Sequence, residues 1–486
     1  MAILLNWALL IATVIIMIGL ALYSNKIVHS SKGEGGFLLA ANSLGPFIGG
    51  ATIVATGFSG WGFMGSPGVA YKYGAIELLG NFFFAPAMVF AVLFCARFLH
   101  QKAQQIGSLT LPEYVARSHE GPDSVKRITQ AFVAIITIVL LLVFLVGQIK
   151  ALGLLAAPWL GIEQNTASLL MIAIIVVYTS IGGLAAVAFT DAFMVVGMCI
   201  SALVIVWTIF TDMPVAELLD SLNAIDPDLL APSDSGPYGS SVWHVLMVLP
   251  YAFIYSATLP YMSVRFMALS SKTKLHHIAA YMTPMACLLS LVPIAGLYTR
   301  VKVPGLENPD QAMPTFLTTF LSPTVSAVVT LFILFAMKST TNSVLHSIAG
   351  SVSHDLRQAI WPNCKLSDKS LLHLNRFAVW VLGGAGFVIM LYAPPFMLSM
   401  LAILGSGTLM AALVAPTLLA HFIPSNIYAA LFSIVIGFAT GCTLFLRFDL
   451  GWVEAPMYAS ILACFSYWVV AKAFQLHSIE RDIISR

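Results

Sequence analysis

Apolar runs of membrane-crossing length recur along the whole 486-residue chain, separated by short polar connections. Against the roughly 20 residues that a membrane helix needs, they predict about 13 spans. These lie near 3–23, 43–67, 76–98, 128–155, 165–184, 190–211, 242–268, 277–299, 322–351, 374–394, 397–421, 425–446 and 453–475. Three spans depart from the plain apolar pattern. The second is crowded with glycine and small hydroxyl residues from Gly49 to Gly68, and the seventh carries Pro250 and Pro260 around Tyr251, Tyr255, Ser256 and Thr258. Glycine and proline free backbone carbonyls and amides, which at membrane depth are tolerated only where protein or a cavity satisfies them. The ninth contains Phe335-Ala336-Met337-Lys338-Ser339-Thr340-Thr341-Asn342-Ser343, a lysine beside five small polar residues. Ionisable groups at that depth tend to mark ion or substrate pathways.

The two interrupted spans sit five apart, each at the start of a five-helix unit. Paired broken helices, one in each of two repeats, are how many secondary transporters build a midplane site. Close packing through small residues is the alternative for either cluster alone. The predicted organisation is an extra N-terminal helix and loop (1–40), a first repeat (41–212), an extracellular loop (213–241), a second repeat (242–421), and C-terminal helices with a tail (422–486). The fold class is an all-α polytopic membrane protein.

Composition agrees, with 59% hydrophobic and 9% charged residues where soluble domains carry about 25% charge. A net charge of +2 offers no nucleic-acid footprint. Lys26, Lys32, Arg97, Lys102, Arg117, Lys126, Arg127, Arg265, Lys272, Lys274, Arg357, Lys365, Lys369, Arg376, Lys472, Arg481 and Arg486 fall on one side, which the positive-inside rule makes cytoplasmic. The longest loop opposite holds Asp212, Glu217, Asp220, Asp226, Asp228 and Asp234 without a basic residue. An odd span count then puts the N-terminus outside and the C-terminus inside. The first apolar stretch lacks a basic n-region and a cleavage site and reads as a retained helix. The six cysteines are scattered without metal-ligand spacing and read as inert membrane-buried thiols. No nucleophile or metal motif accompanies the polar spans, and His276, His277, His346 and His354 read as interfacial or loop residues. The chain reads as a transporter, not an enzyme.

Several stretches carry a likeness to known proteins: Ser59-Gly60-Trp61 with Met64-Gly65-Ser66-Pro67-Gly68, Leu109-Thr110-Leu111-Pro112-Glu113-Tyr114, Gly182-Gly183-Leu184-Ala185-Ala186-Val187 before Thr190-Asp191, and Pro260 with Arg265-Phe266-Met267-Ala268. Over essentially its whole length the chain resembles the sodium:solute symporter family, the group that includes the bacterial proline and pantothenate symporters. The resemblance implies a LeuT-type inverted five-helix repeat. It also implies a sodium site made by the carbonyls of Ala55, Phe58 and Ala336 and the side chains of Ser339 and Thr340. In some relatives a second cation site corresponds to Asp191 with Ser339, Asn342 and Ser343. Hydroxyls on a membrane helix can instead bond back to their own backbone, a reading better suited to Thr341 and Ser347.

Two departures from the family pattern are linked. Gly57 stands where relatives have an acid or an amide, and Lys338 precedes the hydroxyl pair. Unit charges about 4 Å apart interact by roughly 4 kcal/mol at an effective dielectric of 20, so an ammonium there would oppose sodium. Lys338 either replaces the metal ion and couples transport to protons, faces the substrate and pairs with a carboxylate, or snorkels to the cytoplasm. By position Ser59, Trp61, Gly65, Glu77, Gln148, Tyr255 and Ser256 line the substrate cavity. Lys150, near the outer end of its span, reads as snorkelling. The expected activity is import of a small carboxylate-bearing metabolite, such as an amino acid, pantothenate or a monocarboxylate, by alternating access. Sodium is the coupling ion, with a proton as the alternative and no other cofactor. The competing reading is a nutrient-sensing input module. The expected setting is a bacterial inner membrane, with the lipid bilayer and a small-molecule substrate as partners and the chain working as a monomer.

Overall fold

Helix breaks organise the structure more than helix lengths do. A computed structural model of the chain describes residues 2–28, 33–231, 236–238, 241–364, 366–394, 398–423, 426–448 and 450–484. Of the charges used for orientation, Lys32, Asp234, Lys365 and Arg486 lie outside the described residues. Described residues are overwhelmingly helical, and ten helices are long and apolar enough to cross a membrane, or twelve spans if two bent pairs each count as one. In chain order the twelve are α1 (Ala2–Val28), α2 (Pro46–Gly57 then Trp61–Tyr73), α3 (Ile76–Ile106), α4 (Asp123–Leu160), α5 (Gln164–Asp212) and α6 (Val242–Thr258 then Pro260–Met267). They continue with α7 (Leu275–Lys302), α8 (Pro323–Ile360), α9 (Asp368–Tyr392), α10 (Leu398–Leu418), α11 (Ile427–Arg447) and α12 (Glu454–Ile484).

The bent pairs are the two spans whose composition predicted interruption. The halves of α2 meet at 49° and those of α6 at 64°. In α2 the helix ends at Gly57, Phe58 leaves helical space, and a π-helical turn restarts the chain over Trp61–Gly65. In α6 Leu259 is extended (φ −73°, ψ 131°) and Pro260 opens the second half; proline has no amide hydrogen, and its ring clashes with a preceding helical turn. Pro250 does not interrupt its span. It lies in the first turn of Val248–Thr258, where an amide has no intrahelical acceptor to lose.

Residues 165–184 and 190–211, predicted as two spans, run through the single 49-residue α5. Gly183 kinks it with φ 56° and ψ −158°, a conformation that glycine adopts without penalty; a Cβ there would also lie 2.6 Å from the Phe37 carbonyl oxygen. The most apolar window of α8 is 72% buried against 22% for that of α1, so the polar span is central and α1 peripheral. Helix α8 packs on α4, α5 and α9 and on the first half of α2, while the first half of α6 packs on α3 and α10.

The connection between α3 and α4 contains the short helix Leu111–Ser118, whose N-cap Thr110 accepts from the Glu113 amide at 3.3 Å. It docks on the end of α8 through side chains. His354 lies 2.9 Å from both Glu34 and Glu113, Thr110 donates to Asp355 at 2.5 Å, and Arg117 pairs with Glu113 at 2.6 Å. Burial acts to raise the Glu113 carboxyl, but His354, the Leu109 amide and Arg117 overcome it and hold the group below its ordinary value. His354 and His346 are buried, against the interfacial reading, while His276 and His277 are exposed at the start of α7. Cys364, in the connection between α8 and α9, is exposed outside the spans and so is not a membrane-buried thiol.

Candidate functional site

Because α2 stops at Gly57, carbonyls of its last turn lack intrahelical donors, and α8 presents hydroxyls to them. Thr340 Oγ1 donates to the Thr56 carbonyl at 3.0 Å, and Thr56 Oγ1 lies 3.4 Å from Ser343 Oγ. Ala55, Phe58, Ala336, Ser339 and Thr340, the residues of the expected sodium site, are all buried at or beside this junction. Ser339 is buried beside Asp191 and hydrogen-bonds to its carboxylate. Thr341, by contrast, bonds back to its own helix at the Met337 carbonyl, 2.7 Å away.

Deeper in the same contact is a buried ion pair. Asp191 Oδ2 accepts from Thr52 Oγ1 at 2.6 Å and from Arg265 Nη2 at 3.1 Å, and the same Nη2 reaches Ser343 Oγ at 2.5 Å. Arg265 Nε also donates to Thr52 at 2.8 Å, and its Nη1 donates to the Tyr261 carbonyl. Arg265 is therefore not a cytoplasmic loop charge, as the positive-inside count had it. Asp191 and Ser343 are brought together with the guanidinium between them. Asn342 stays beside them: its Oδ1 accepts from Ser343 Oγ at 3.1 Å, while its amide nitrogen donates to the Tyr178 hydroxyl at 3.2 Å.

Lys338 is fully buried, and its Nζ has no hydrogen-bond partner among the described residues. It lies over the Phe335 ring, 5.9 Å from the centroid, and that ring packs on Phe193 and Phe332. A snorkelling lysine would reach water, and this one does not. Nor is Lys338 among the residues that line the central cavity. At Gly57 a Cβ would come 2.6 Å from Met88 Sδ; the methionine fills the space that a side chain would need.

The cavity lies between the bend of α2, α3, the first half of α6 and α10. Ser59, Trp61, Glu77 and Tyr255 line it, as expected. Gly65, Gln148 and Ser256 do not. Gly65 is buried within its helix turn, Ser256 bonds back to the Ala252 carbonyl at 2.8 Å, and Gln148 Oε1 accepts from the Gly60 amide at 3.2 Å, steadying the break from behind. Glu77 accepts from Tyr238 at 2.6 Å, from Asn81 at 2.7 Å and from Ser66. Tyr238 comes from the 213–241 connection, so that loop reaches into the cavity. Sequence reading missed Arg265, Thr52, Tyr238 and Tyr178 as site residues. A buried arginine at the end of a broken span is the one signal that could have been found, since Arg265 belongs to a quoted motif.

A family model described as the Sodium:solute symporter family matches residues 37–437. The chain belongs to that family. It is a symporter, a multi-pass membrane transport protein and not an enzyme. The Sodium/pantothenate symporter of Escherichia coli is 24% identical over 480 residues, covering 96% of this chain and 95% of that one. The corresponding pantothenate protein of Haemophilus influenzae is 25% identical over 82% of each chain. The osmoregulated proline transporter OpuE of Bacillus subtilis is 26% identical over 83% of this symporter and 82% of its own length. Among solved structures, a Na+-coupled sialic acid symporter superposes with a TM-score of 0.76 over 96% of this chain and 98% of that one at 16% identity. Mhp1 follows at 0.57, covering 90% and 94%, also at 16% identity. At such identities the likeness shows the shared LeuT-like fold alone.

Proposed function

We propose that this symporter imports a small carboxylate-bearing metabolite, such as an amino acid, pantothenate or a monocarboxylate, across a bacterial inner membrane by sodium-driven alternating access. The observation that carries the reading is the contact of Thr340 Oγ1 with the Thr56 carbonyl, 3.0 Å, at the broken end of α2. Carbonyl and hydroxyl oxygens at such a break suit a small alkali cation. Ala55, Phe58, Ala336, Ser339 and Thr340 would supply them. Relatives named for sodium-coupled uptake of pantothenate or proline support the ion and the substrate range. A single sodium ion fits best, because the Arg265 guanidinium already provides positive charge beside Asp191. The direction of Lys338 toward Phe335 argues against its standing in for the metal ion.

The two bent spans support inverted repeats over 41–212 and 242–421. A straight 49-residue α5 would extend about 74 Å, more than twice a hydrocarbon core. Two crossings separated at Gly183 bring the count to 13, with the N-terminus outside and the C-terminus inside. Uptake of labelled proline, pantothenate and short monocarboxylates into proteoliposomes, under an imposed sodium or proton gradient, tests the proposal. Sodium-driven accumulation is expected; proton-driven, sodium-indifferent uptake overturns the assigned coupling.

A further inference from the structure

The cavity's wall is unusually poor in positive charge for a carboxylate-binding site. Its described lining includes no lysine, arginine or histidine, and Glu77 is its one ionisable acid. Both features expected to draw an anion are engaged elsewhere or absent. Lys338 lies outside the lining, and the amides at the α2 break are occupied, Gly60 by Gln148 and Trp61 by Ser59 Oγ at 3.1 Å. Resting on the transport reading above, we infer that the substrate carries a cationic nitrogen, as an amino acid or a betaine does, and that Glu77 and the surrounding aromatic rings recognise it.

Glu77 is 1% exposed, and its three recorded side-chain partners, Ser66, Asn81 and Tyr238, are neutral donors. No described basic residue forms an ion pair with it. A buried carboxyl without a matching positive charge favours its neutral form; Glu77 lines the cavity, so a cationic substrate would supply the charge that holds it as the anion. Aromatic faces supply the second element. Trp61 and Phe84 have ring centroids 5.9 Å apart, Phe84 and Tyr255 5.7 Å, and Tyr255 and Tyr251 6.0 Å, a continuous wall. Ring faces attract ammonium groups, most strongly where water is excluded. For the opposite end of a zwitterion, Trp61 Nε1 is a buried donor without a hydrogen-bond partner among the described residues. One indole N–H orients a carboxylate without neutralising it, which suits a substrate carrying its own positive charge.

The test compares ligands that share shape and carboxylate and differ in the charged nitrogen. Proline is paired with cyclopentanecarboxylate, and glycine betaine with 3,3-dimethylbutanoate, in equilibrium binding to the purified full chain in sodium buffer. At least one zwitterion should bind tenfold or more tightly than its uncharged-nitrogen partner, and Glu77→Gln should shrink that ratio without weakening the partner. The wild-type comparison decides even if the variant does not fold. Equal or tighter binding of the partners, or no zwitterion binding, overturns the inference. Sodium-driven uptake of pantothenate or a monocarboxylate with no zwitterion binding leaves the transport reading standing and removes this one. Zwitterion-selective binding without gradient-driven uptake does the reverse.

Discussion

Arg265 Nη2 lies 3.1 Å from Asp191 Oδ2, and neither side chain is exposed at all. The pair joins α5 to the second half of α6, and through Thr52 and Ser343 it holds α2 and α8 as well. Removing one member of a buried pair strands the other charge, at a cost of about 3–5 kcal/mol, whereas removing both together costs far less. Asp191→Asn and Arg265→Met should each lower the melting temperature in detergent sharply, and the double variant should recover much of the loss. Additive losses would mean that the two residues are not energetically coupled.

Ser339 and Thr340 are the proposed sodium ligands, whereas Thr341 bonds back to its own helix. Ser339→Ala and Thr340→Ala should raise the sodium concentration for half-maximal uptake by about tenfold or more, since each removes a polar ligand worth 1–3 kcal/mol. Thr341→Ala should leave it unchanged. Equal effects at all three positions, measured by sodium titration of uptake, would point to general loosening of α8.

A buried ammonium without a hydrogen-bond partner is costly to hold. Lys338→Met keeps the length and the apolar stem, so it should preserve sodium-driven uptake and leave the melting temperature unchanged or raised. Loss of gradient-driven transport with intact folding would instead restore the lysine to the coupling mechanism.

Asp310 lies outside the membrane spans, in the connection before α8, with Oδ2 accepting from the Leu398 amide at 3.0 Å. Burial pushes its carboxyl from 3.8 up to about 6, against the Leu398 amide and the charge of Lys150, which act to lower it. Between those pH values the folded chain holds a proton that the unfolded chain has released, so this group's contribution to stability is complete below about 4 and is lost as pH rises through about 6. The displacement corresponds to roughly 3 kcal/mol. Relative to wild type, Asp310→Asn should therefore melt higher at pH 7 and show little advantage at pH 4. Parallel pH curves for the two proteins would contradict this.

The amino-acid pattern determined the helical membrane class, the positions of both broken spans and the central place of the polar α8. These are local properties: apolar length decides whether a helix can cross, and glycine, or a proline beyond a helix's first turn, interrupts it wherever neighbours lie. Pro250 was misread because a proline in a first turn breaks nothing.

Partners and directions were decided only by the tertiary structure. A helix turns about 100° per residue, so Lys338 and Ser339, adjacent in sequence, face different neighbours, and no local pattern says which one meets the ion path. Arg265 counts as a loop charge until α6 folds its second half against Asp191. The aromatic wall is built from α2, α3 and α6, and the loop tyrosine Tyr238 joins it across some 160 residues from Glu77. Hydrophobic length is written into each segment, whereas the pairing of a buried charge depends on which segments the packed bundle sets side by side.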